Sequence, residues 1–176
     1  MSTFSKTGLF YWWVALVVIV LDQATKLLVV HNIGYQETVP LLPCLSLVHV
    51  YNTGAAFSFL ARGGGWQTYL FIAIALAALA IIAVALKRTD RSRTAIGVSL
   101  AMVAGGAVGN VIDRVCYNHV IDFILFYVQG VFTYPAFNVA DCGICIGAGM
   151  MVIYSLFFDR DDSRKDDSQR ENGNGQ

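Results

Sequence analysis

Four long apolar runs constrain the fold of this chain more than any other feature. They cover about residues 10–30, 68–86, 95–112 and 138–158. A helix needs about 20 residues to cross about 30 Å of hydrocarbon, because each residue advances it by about 1.5 Å. Only 14% of the 176 residues are charged, whereas 56% are hydrophobic. We therefore predict one integral membrane domain over residues 1–158, with four transmembrane helices.

The first run has one feature of a secretory signal, since Lys6 precedes its apolar stretch. No small-x-small cleavage site follows, and Asp22, Gln23 and Lys26 occupy the end of the run. A retained first span is therefore favoured. The segment 159–176 is charged and poor in apolar residues, which predicts a disordered tail.

The distribution of basic residues predicts the orientation of the spans. Lys and Arg residues collect in the short loops that stay in the cytoplasm, and acidic residues count for little. The basic residues concentrate between spans two and three and after span four: Lys87, Arg88, Arg91, Arg93, Arg160, Arg164, Lys165 and Arg170. Both termini are thus expected in the cytoplasm, and the connections 31–67 and 113–137 at the outer face.

Both outer connections contain strand patterns. Residues 45–51 are rich in β-branched and apolar side chains and follow Pro40 and Pro43. The segments Val120–Val128 and Val131–Tyr134 flank a Gln-Gly dipeptide, which predicts a hairpin. Unpaired strand edges are costly in lipid, so these pieces should pair with each other or lie at the interface. The predicted fold class is membrane all-α, with a small external β-sheet at the outer membrane face.

Ionisable groups at membrane depth are expensive, which makes each a functional candidate. Asp22 and Lys26 lie four residues apart on one face of the first span and can form an ion pair. A structural role at the outer end of that span is the favoured interpretation. Asn110 and Arg114 lie one turn apart at the end of the third span, where both can donate hydrogen bonds. Substrate binding and a structural role remain equally open for them.

The segment Asn52-Thr53-Gly54 and the residue Asn138 each have a plain structural explanation. Asn52-Thr53-Gly54 can be no more than the turn that ends a strand. Its expected position on the same side as Arg114 also makes it a site candidate. Asn138 precedes the fourth span and can cap that helix.

Two aspartates are the strongest catalytic candidates. Asp122 lies within an apolar strand, and Asp141 lies in the first turn of the fourth span, where a helix N-terminus stabilises negative charge. Two carboxylates held close together cannot easily both ionise, so such a pair shares one proton. An aspartate pair of this kind can activate water and polarise an amide carbonyl. The sequence does not indicate which aspartate is the base, because the titration belongs to the pair.

The chain resembles the bacterial lipoprotein signal peptidase, or signal peptidase II, family from about Trp12 to Phe158. Five blocks occur in the family's order: Asp22-Gln23 with Lys26; Asn52-Thr53-Gly54-Ala55-Ala56-Phe57; Gly105-Gly106-Ala107 with Gly109-Asn110 and Asp113-Arg114; Val120 with Asp122-Phe123; and Phe137-Asn138 with Ala140-Asp141. Each block is weak alone, but five in register on a four-span chain form a specific signal.

The resemblance implies a membrane aspartic endopeptidase of the bacterial inner membrane, with Asp122 and Asp141 as the catalytic pair. The family's substrates are prolipoproteins whose lipobox cysteine carries diacylglycerol, and cleavage falls on the amino side of that cysteine. Asn52, Asn110, Arg114 and Asn138 match positions that line the site and hold the substrate or the aspartates. Asp22 and Lys26 match a polar pair of more structural character. No metal or organic cofactor is implied.

Other functional classes are disfavoured. Four cysteines, among them Cys142 and Cys145 in a C-x-x-C pattern, leave a membrane thiol oxidoreductase as the alternative. Against it, cysteines within an apolar span more often act as small buried hydrophobes. A transporter is disfavoured because the spans show no inverted repeat. The formal net charge is zero, so nucleic acid is an unexpected partner. A monomer in membrane lipid is expected.

Overall fold

Four long helices dominate the computed structural model, which describes residues 6–54 and 65–157. A 3-10 turn over Gly8–Tyr11 leads into the first helix. The helices are α1 (Trp12–Asn32), α2 (Trp66–Arg88), α3 (Thr94–Tyr117) and α4 (Val139–Phe157). All four are long and apolar enough to cross a bilayer, which confirms the predicted fold class. The tail predicted to be disordered, residues 159–176, lies outside the described residues.

Helix α3 is the central helix, since it packs against α1, α2 and α4. Small residues make these close approaches possible. A Cβ atom added to Gly105 of α3 would lie 2.7 Å from the Ala15 carbonyl oxygen of α1, and one added to Gly147 of α4 would lie 2.6 Å from the Ser99 carbonyl oxygen. The glycines Gly105, Gly106 and Gly109 therefore form a helix-packing face of α3.

The outward faces of the helices carry large apolar side chains. Leu16, Leu28 and Ile81 are each exposed over at least 60% of their surface. A soluble protein rarely exposes contiguous apolar patches of this kind, whereas lipid tails solvate them well. The exposed apolar faces agree with the membrane fold.

A four-stranded antiparallel sheet is built from the two connections predicted to carry strands. Its strands are β1 (Thr38–Leu42), β2 (Leu45–Asn52), β3 (Val120–Val128) and β4 (Phe132–Thr133), and they are ordered β1-β2-β3-β4. The prediction that the two connections pair with each other is confirmed, because β2 and β3 are the central neighbours. This pairing places the end of β2 beside the start of β3.

Two expectations about the sheet were wrong in detail. The first outer connection was expected to carry a single strand after Pro40 and Pro43, which is β2, yet it also carries β1, and Pro40 lies within that strand. Proline lacks an N–H donor and is tolerated on an edge strand, which β1 is. The second arm of the hairpin was predicted over residues 131–134, but β4 contains only Phe132 and Thr133.

The third helix is longer than its apolar run. Its predicted span ends at residue 112, but α3 continues to Tyr117 and ends where Asn118 adopts a left-handed conformation with φ of 61°. Asp113 and Arg114 are therefore helical. Their side chains lie on the same helix as Asn110, and this extension carries polar groups into the site.

Candidate active site

Asp122 lies on β3 and is almost fully buried, with 2% of its surface exposed. Both carboxylate oxygens accept hydrogen bonds from side-chain amides. Asn52 Nδ2, from the end of β2, donates to Oδ2 at 2.9 Å, and Asn138 Nδ2 donates to Oδ1 at 2.7 Å. The strand pairing thus brings Asn52 to Asp122, although 70 residues separate them in the chain.

Asp141 lies in the first turn of α4 and is half-buried. Asn138 caps this helix as predicted, because its Oδ1 accepts the Asp141 N–H at 2.9 Å. In return, Asp141 Oδ2 accepts the Asn138 N–H at 3.2 Å, which completes a reciprocal capping arrangement. Asn110 Nδ2, from α3, donates to Asp141 Oδ1 at 2.8 Å. The carboxylate is therefore fixed by two elements.

Asn138 connects the two aspartates. Its side-chain nitrogen donates to Asp122 and its side-chain oxygen accepts from Asp141, and the residue is fully buried. Burial raises the pKa of Asp122 to about 7, with a further contribution from the negative charge of Asp141. Asp122 and Asp141 thus form a pair that can hold a shared proton near neutral pH.

Arg114 connects the end of α3 to the turn after β2. Its Nη2 donates to the Gly54 carbonyl oxygen at 3.1 Å, and its Nη1 donates to the Asn110 carbonyl oxygen at 3.4 Å. The turn is fixed from within, because the Gly54 N–H donates to Asn52 Oδ1 at 3.0 Å. The predicted turn is thus part of the same polar network as the aspartates.

A cavity of about 640 Å³ opens beside the aspartate pair, which is a volume typical of ligand sites. Most of the predicted site residues line it: Asn52, Gly54, Asn110, Arg114, Asp122 and Asp141. Apolar residues of α4, including Ile144 and Ile146, form another part of the wall. The cavity therefore combines two carboxylates with a wall suited to an apolar ligand.

Two cysteines also line this cavity, and they correct one expectation. Cys142 is half-buried and Cys145 is exposed, so neither is the buried hydrophobe that its place in an apolar span predicted. Among the described residues, α4 packs against α1 and α3 through Gly143 and Gly147, whereas Cys142 and Cys145 lie on its cavity side. All four cysteines are free thiols.

Asp22 and Lys26 do not line the cavity. They form the predicted ion pair, with Lys26 Nζ 2.8 Å from Asp22 Oδ2, and both are buried. Lys26 Nζ also lies 2.8 Å from Asp113 Oδ2, a partner that the sequence analysis did not assign. We call Asp22, Lys26 and Asp113 the Lys26 triad. Asp113 follows Asn110 by three residues, and this helical spacing could have placed it on the same face.

The described residues contain no cluster of three or more His, Cys, Asp or Glu side chains that could hold a metal ion. The carboxylates of the cavity are instead hydrogen-bonded to amide groups of Asn52, Asn110 and Asn138. Amide donors support a proton-sharing pair of carboxylates, which needs only water as its co-reactant.

Comparison with known proteins decides the family. The family model described as signal peptidase (SPase) II matches residues 14–157, which is most of the chain. The chain belongs to the signal peptidase II family. It is therefore a peptidase, and the resemblance predicted from the five sequence blocks is confirmed.

Signal peptidase II relatives match over nearly their full length. The lipoprotein signal peptidase of Tolumonas auensis is 45% identical, covering 87% of this chain and 93% of the relative. That of Neisseria meningitidis serogroup C is 48% identical, covering 91% and 96%. A solved bacterial membrane enzyme superposes with a TM-score of 0.76 at 27% identity, covering 89% of this chain and 91% of that one. The family match over residues 14–157 thus reaches all four helices and all four strands.

Proposed function

We propose that this chain is a membrane aspartic endopeptidase that removes the signal peptide from prolipoproteins, cutting on the amino side of a diacylglyceryl-modified cysteine. The observation that carries the proposal is the placement of Asp122 and Asp141 at one cavity with Asn138 bound to both. The printed names of the relatives, lipoprotein signal peptidases, support the substrate class.

The environments of the two aspartates support different roles. Asp122 is the more buried, and its pKa of about 7 favours the protonated form near neutral pH. Asp141 is half-buried in the first turn of α4, where the helix N-terminus favours an anion. We therefore assign Asp141 as the base and Asp122 as the proton donor at the start of the reaction.

The reaction then proceeds in two steps that conserve protons. Asp141 takes a proton from water as the water oxygen attacks the scissile carbonyl carbon, while Asp122 gives its proton to the carbonyl oxygen. The resulting gem-diol collapses as the carbon–nitrogen bond breaks. Asp141 delivers its proton to the leaving amine, and a hydroxyl proton returns to Asp122. The pair ends in its starting protonation state without a metal or organic cofactor.

The residues of the cavity wall favour a substrate that stays partly in the membrane. Ile144 and Ile146 line it from α4, and Asn52 and Gly54 line it from the end of β2. An acylated signal peptide has an apolar anchor and a polar backbone at the scissile bond. Such a substrate can place its lipid along α4 and its backbone against the amide and carbonyl groups of the β2 turn.

The topology supports an active site at the outer face of the bacterial inner membrane. The sheet lies in the connections between α1 and α2 and between α3 and α4, and it carries Asp122, while Asp141 lies at the start of α4 beside the same connection. Lys87, Arg88 and Arg91 lie at the opposite connection, between α2 and α3, and favour the cytoplasm. The start of α1 and the end of α4 then face the cytoplasm as well. Since one chain supplies both aspartates, a monomer can be active.

The test is cleavage of a diacylglyceryl-modified prolipoprotein by purified protein in detergent. Asp122→Asn and Asp141→Asn should each reduce cleavage by at least about 100-fold, because Asn cannot transfer the proton. A variant with all four cysteines changed to serine is the control and should cut like the wild type. Cleavage by folded Asn variants would overturn the proposal. Loss of activity on cysteine replacement alone would favour the thiol oxidoreductase alternative.

A further inference from the structure

The Lys26 triad is buried next to the aspartate pair but outside the cavity. Lys26 has 1% of its surface exposed, and Asp22 and Asp113 have none. The lysine comes from α1 together with Asp22, whereas Asp113 comes from α3. Its two ion pairs, each 2.8 Å long, therefore join these two helices through one cation.

Each carboxylate of the Lys26 triad also binds the backbone beside one of the catalytic aspartates. Asp22 Oδ1 accepts the N–H of Ala140 at 2.8 Å, and Ala140 directly precedes Asp141. Asp113 Oδ2 accepts the N–H of Ile121 at 3.1 Å, and Ile121 directly precedes Asp122. One ammonium group thus connects the backbone on the amino side of both aspartates.

We propose that the Lys26 triad is a positioning device that sets the placement of Asp122 relative to Asp141. This inference rests on the proposed function, in which these two aspartates share a proton. The distance between two carboxylates decides whether they share it. A device that holds both backbones to a common cation fixes that distance more directly than helix packing does.

Two neighbouring amides extend the same connection. Gln23 Nε2 donates to Asp22 Oδ2 at 3.1 Å and to Asp113 Oδ1 at 2.9 Å, so it links the two carboxylates a second time. Lys26 Nζ donates to Asn110 Oδ1 at 3.3 Å, and Asn110 Nδ2 holds Asp141. The cation therefore reaches Asp141 both through the backbone and through a side chain.

The energetics distinguish positioning from simple anchoring. Buried ion pairs seldom stabilise a fold more than well-packed apolar residues would, because desolvating the charges is costly. Helix packing alone therefore does not require a buried lysine with two aspartates. The positive charge of Lys26 also lowers the pKa of Asp122, against the larger effects of burial and Asp141. Both geometry and charge at the aspartate pair depend on this residue.

The experiment compares Lys26→Met with Lys87→Met, a matched change at an exposed lysine in the last turn of α2. Both variants are purified in detergent, and kcat, KM and the pH profile of kcat are measured on the folded fraction. We expect Lys26→Met to lower kcat by about 100-fold, the loss that a displacement of about 1 Å produces, with little change in KM. Lys87→Met should leave both constants unchanged.

The pH profile separates positioning from a merely structural role. Removing the buried cation should raise the pKa of Asp122, so the pH optimum of kcat should move to higher pH in Lys26→Met. Lys26→Arg keeps the charge and both carboxylate partners, and should return the optimum toward that of the wild type. A structural lysine would change the amount of folded protein and leave the optimum in place.

A second pair of variants keeps the proposal testable when Lys26→Met does not fold. Asp22→Asn and Asp113→Asn each retain an oxygen for the backbone N–H but lose the ion pair. Each should lower kcat without a matching rise in KM. An unchanged kcat and pH optimum in any folded variant of the three, or a loss confined to KM, would overturn the positioning role.

The proposed function is tested separately, by wild-type cleavage and by its loss in Asp122→Asn and Asp141→Asn. If the wild type cuts and these two are inactive, an unaffected Lys26→Met refutes the positioning role alone. If the wild type does not cut the lipidated substrate, or the Asn variants do, the proposed function fails first.

Discussion

The Lys26 triad and the aspartate pair are two groups of buried carboxylates that differ in their partners. Asp22 and Asp113 both bind the ammonium group of Lys26. Asp122 and Asp141 are instead held by the amides of asparagines. The first group is enclosed by protein, whereas the second opens on the cavity. The same residue type thus forms a fixed ion pair in one place and a reactive pair in the other.

The comparison shows how a cation decides the chemistry of a carboxylate. A cation beside a carboxylate favours its ionised form, whereas an amide donor brings no charge to it. Asp122 is hydrogen-bonded by amides, and its burial raises its pKa to about 7. The predictions below test whether this difference in partners, rather than position in the fold, separates the two groups.

The largest expected effect comes from giving the aspartate pair a cation of its own. Asn52→Lys places an ammonium group at the position that now donates an amide hydrogen bond to Asp122. A cation at this distance lowers the pKa of an aspartate by about 1 to 3 units, so both aspartates would ionise near pH 7. We expect cleavage at pH 7 to fall by about 100-fold or more.

Asn52→Met is the matched control for this change, because it has a similar length and no charge. It should lose less activity than Asn52→Lys, and its activity should fall at a somewhat higher pH than that of the wild type, because the lost Asn52 hydrogen bond had lowered the pKa of Asp122. Asn52→Lys should regain activity when the pH is lowered, since the pair can then recover its proton. Equal losses in both variants at every pH would show that shape matters at this position and charge does not.

The stability of the fold should depend on pH through Asp122. Its pKa is about 7 in the folded protein against a reference of 3.8, so the folded state binds the proton more tightly. The stability from this proton is fully present below pH 3.8 and is lost as the pH rises through about 7. The upper limit is on the order of 4 kcal/mol. In Asp122→Asn, the free energy of unfolding should no longer fall between pH 4 and 8 for this reason. Thermal unfolding in detergent over that pH range measures the difference from the wild type.

Asp90 provides a control, because its pKa is shifted in the opposite direction to that of Asp122. It is exposed in the connection between α2 and α3, where hydrogen bonds from Ser92 lower its pKa. Its contribution to stability is therefore present above its reference pKa and is lost on acidification. Asp90→Asn should leave the unfolding midpoint near pH 7–8 with the same pH slope as the wild type. A similar change of slope in both variants would contradict the role assigned to Asp122.

A smaller effect is expected where helix packing meets the Lys26 triad. A Cβ atom added to Gly109 would lie 2.6 Å from Asp22 Oδ2, whereas one added to Gly105 would meet the Ala15 backbone and Val18. Both alanine variants should be destabilised by about 1–3 kcal/mol through overpacking. Only Gly109→Ala should also lower kcat in the folded fraction, because it displaces a carboxylate that binds the Ala140 N–H. Equal kcat values in the two variants would show that displacing Asp22 does not affect the aspartate pair.

The sequence was sufficient to predict the helices and the residues that bring carboxylate, amide and guanidinium groups to the cavity. Apolar length alone indicates the spans, since lipid requires that length, and the blocks around Asp122 and Asp141 carry the family resemblance. The sequence did not predict strand β1, because Pro40 is a strand breaker everywhere except at an edge. Edge position depends on which strands pair, and local sequence does not encode that pairing.

The sequence also did not reveal the role of Asp113. Its partners Lys26 and Ile121 come from α1 and β3, so their meeting depends on the packing of three elements. The apolar run ends before it, and in the extension of α3 beyond that run Asp113 and Arg114 bind partners from other elements. Ion pairs within one helix, such as that of Asp22 and Lys26, are predictable from spacing. Pairs between elements are not.

The smallest expected effect concerns the cysteines, the residues on which the sequence and the structure differ most. Cys142 and Cys145 line the cavity, yet neither forms a disulfide. Serine is nearly isosteric with cysteine, and positions that are half-buried or exposed tolerate such changes within about 0.5 kcal/mol. Changing all four cysteines to serine should therefore leave kcat/KM and the unfolding midpoint almost unchanged.

If only Cys142→Ser and Cys145→Ser lower activity, these thiols contact the substrate. If Cys44→Ser and Cys116→Ser act equally, a redox role outside the cavity must be considered, and the contrast between the two carboxylate groups would no longer explain the activity.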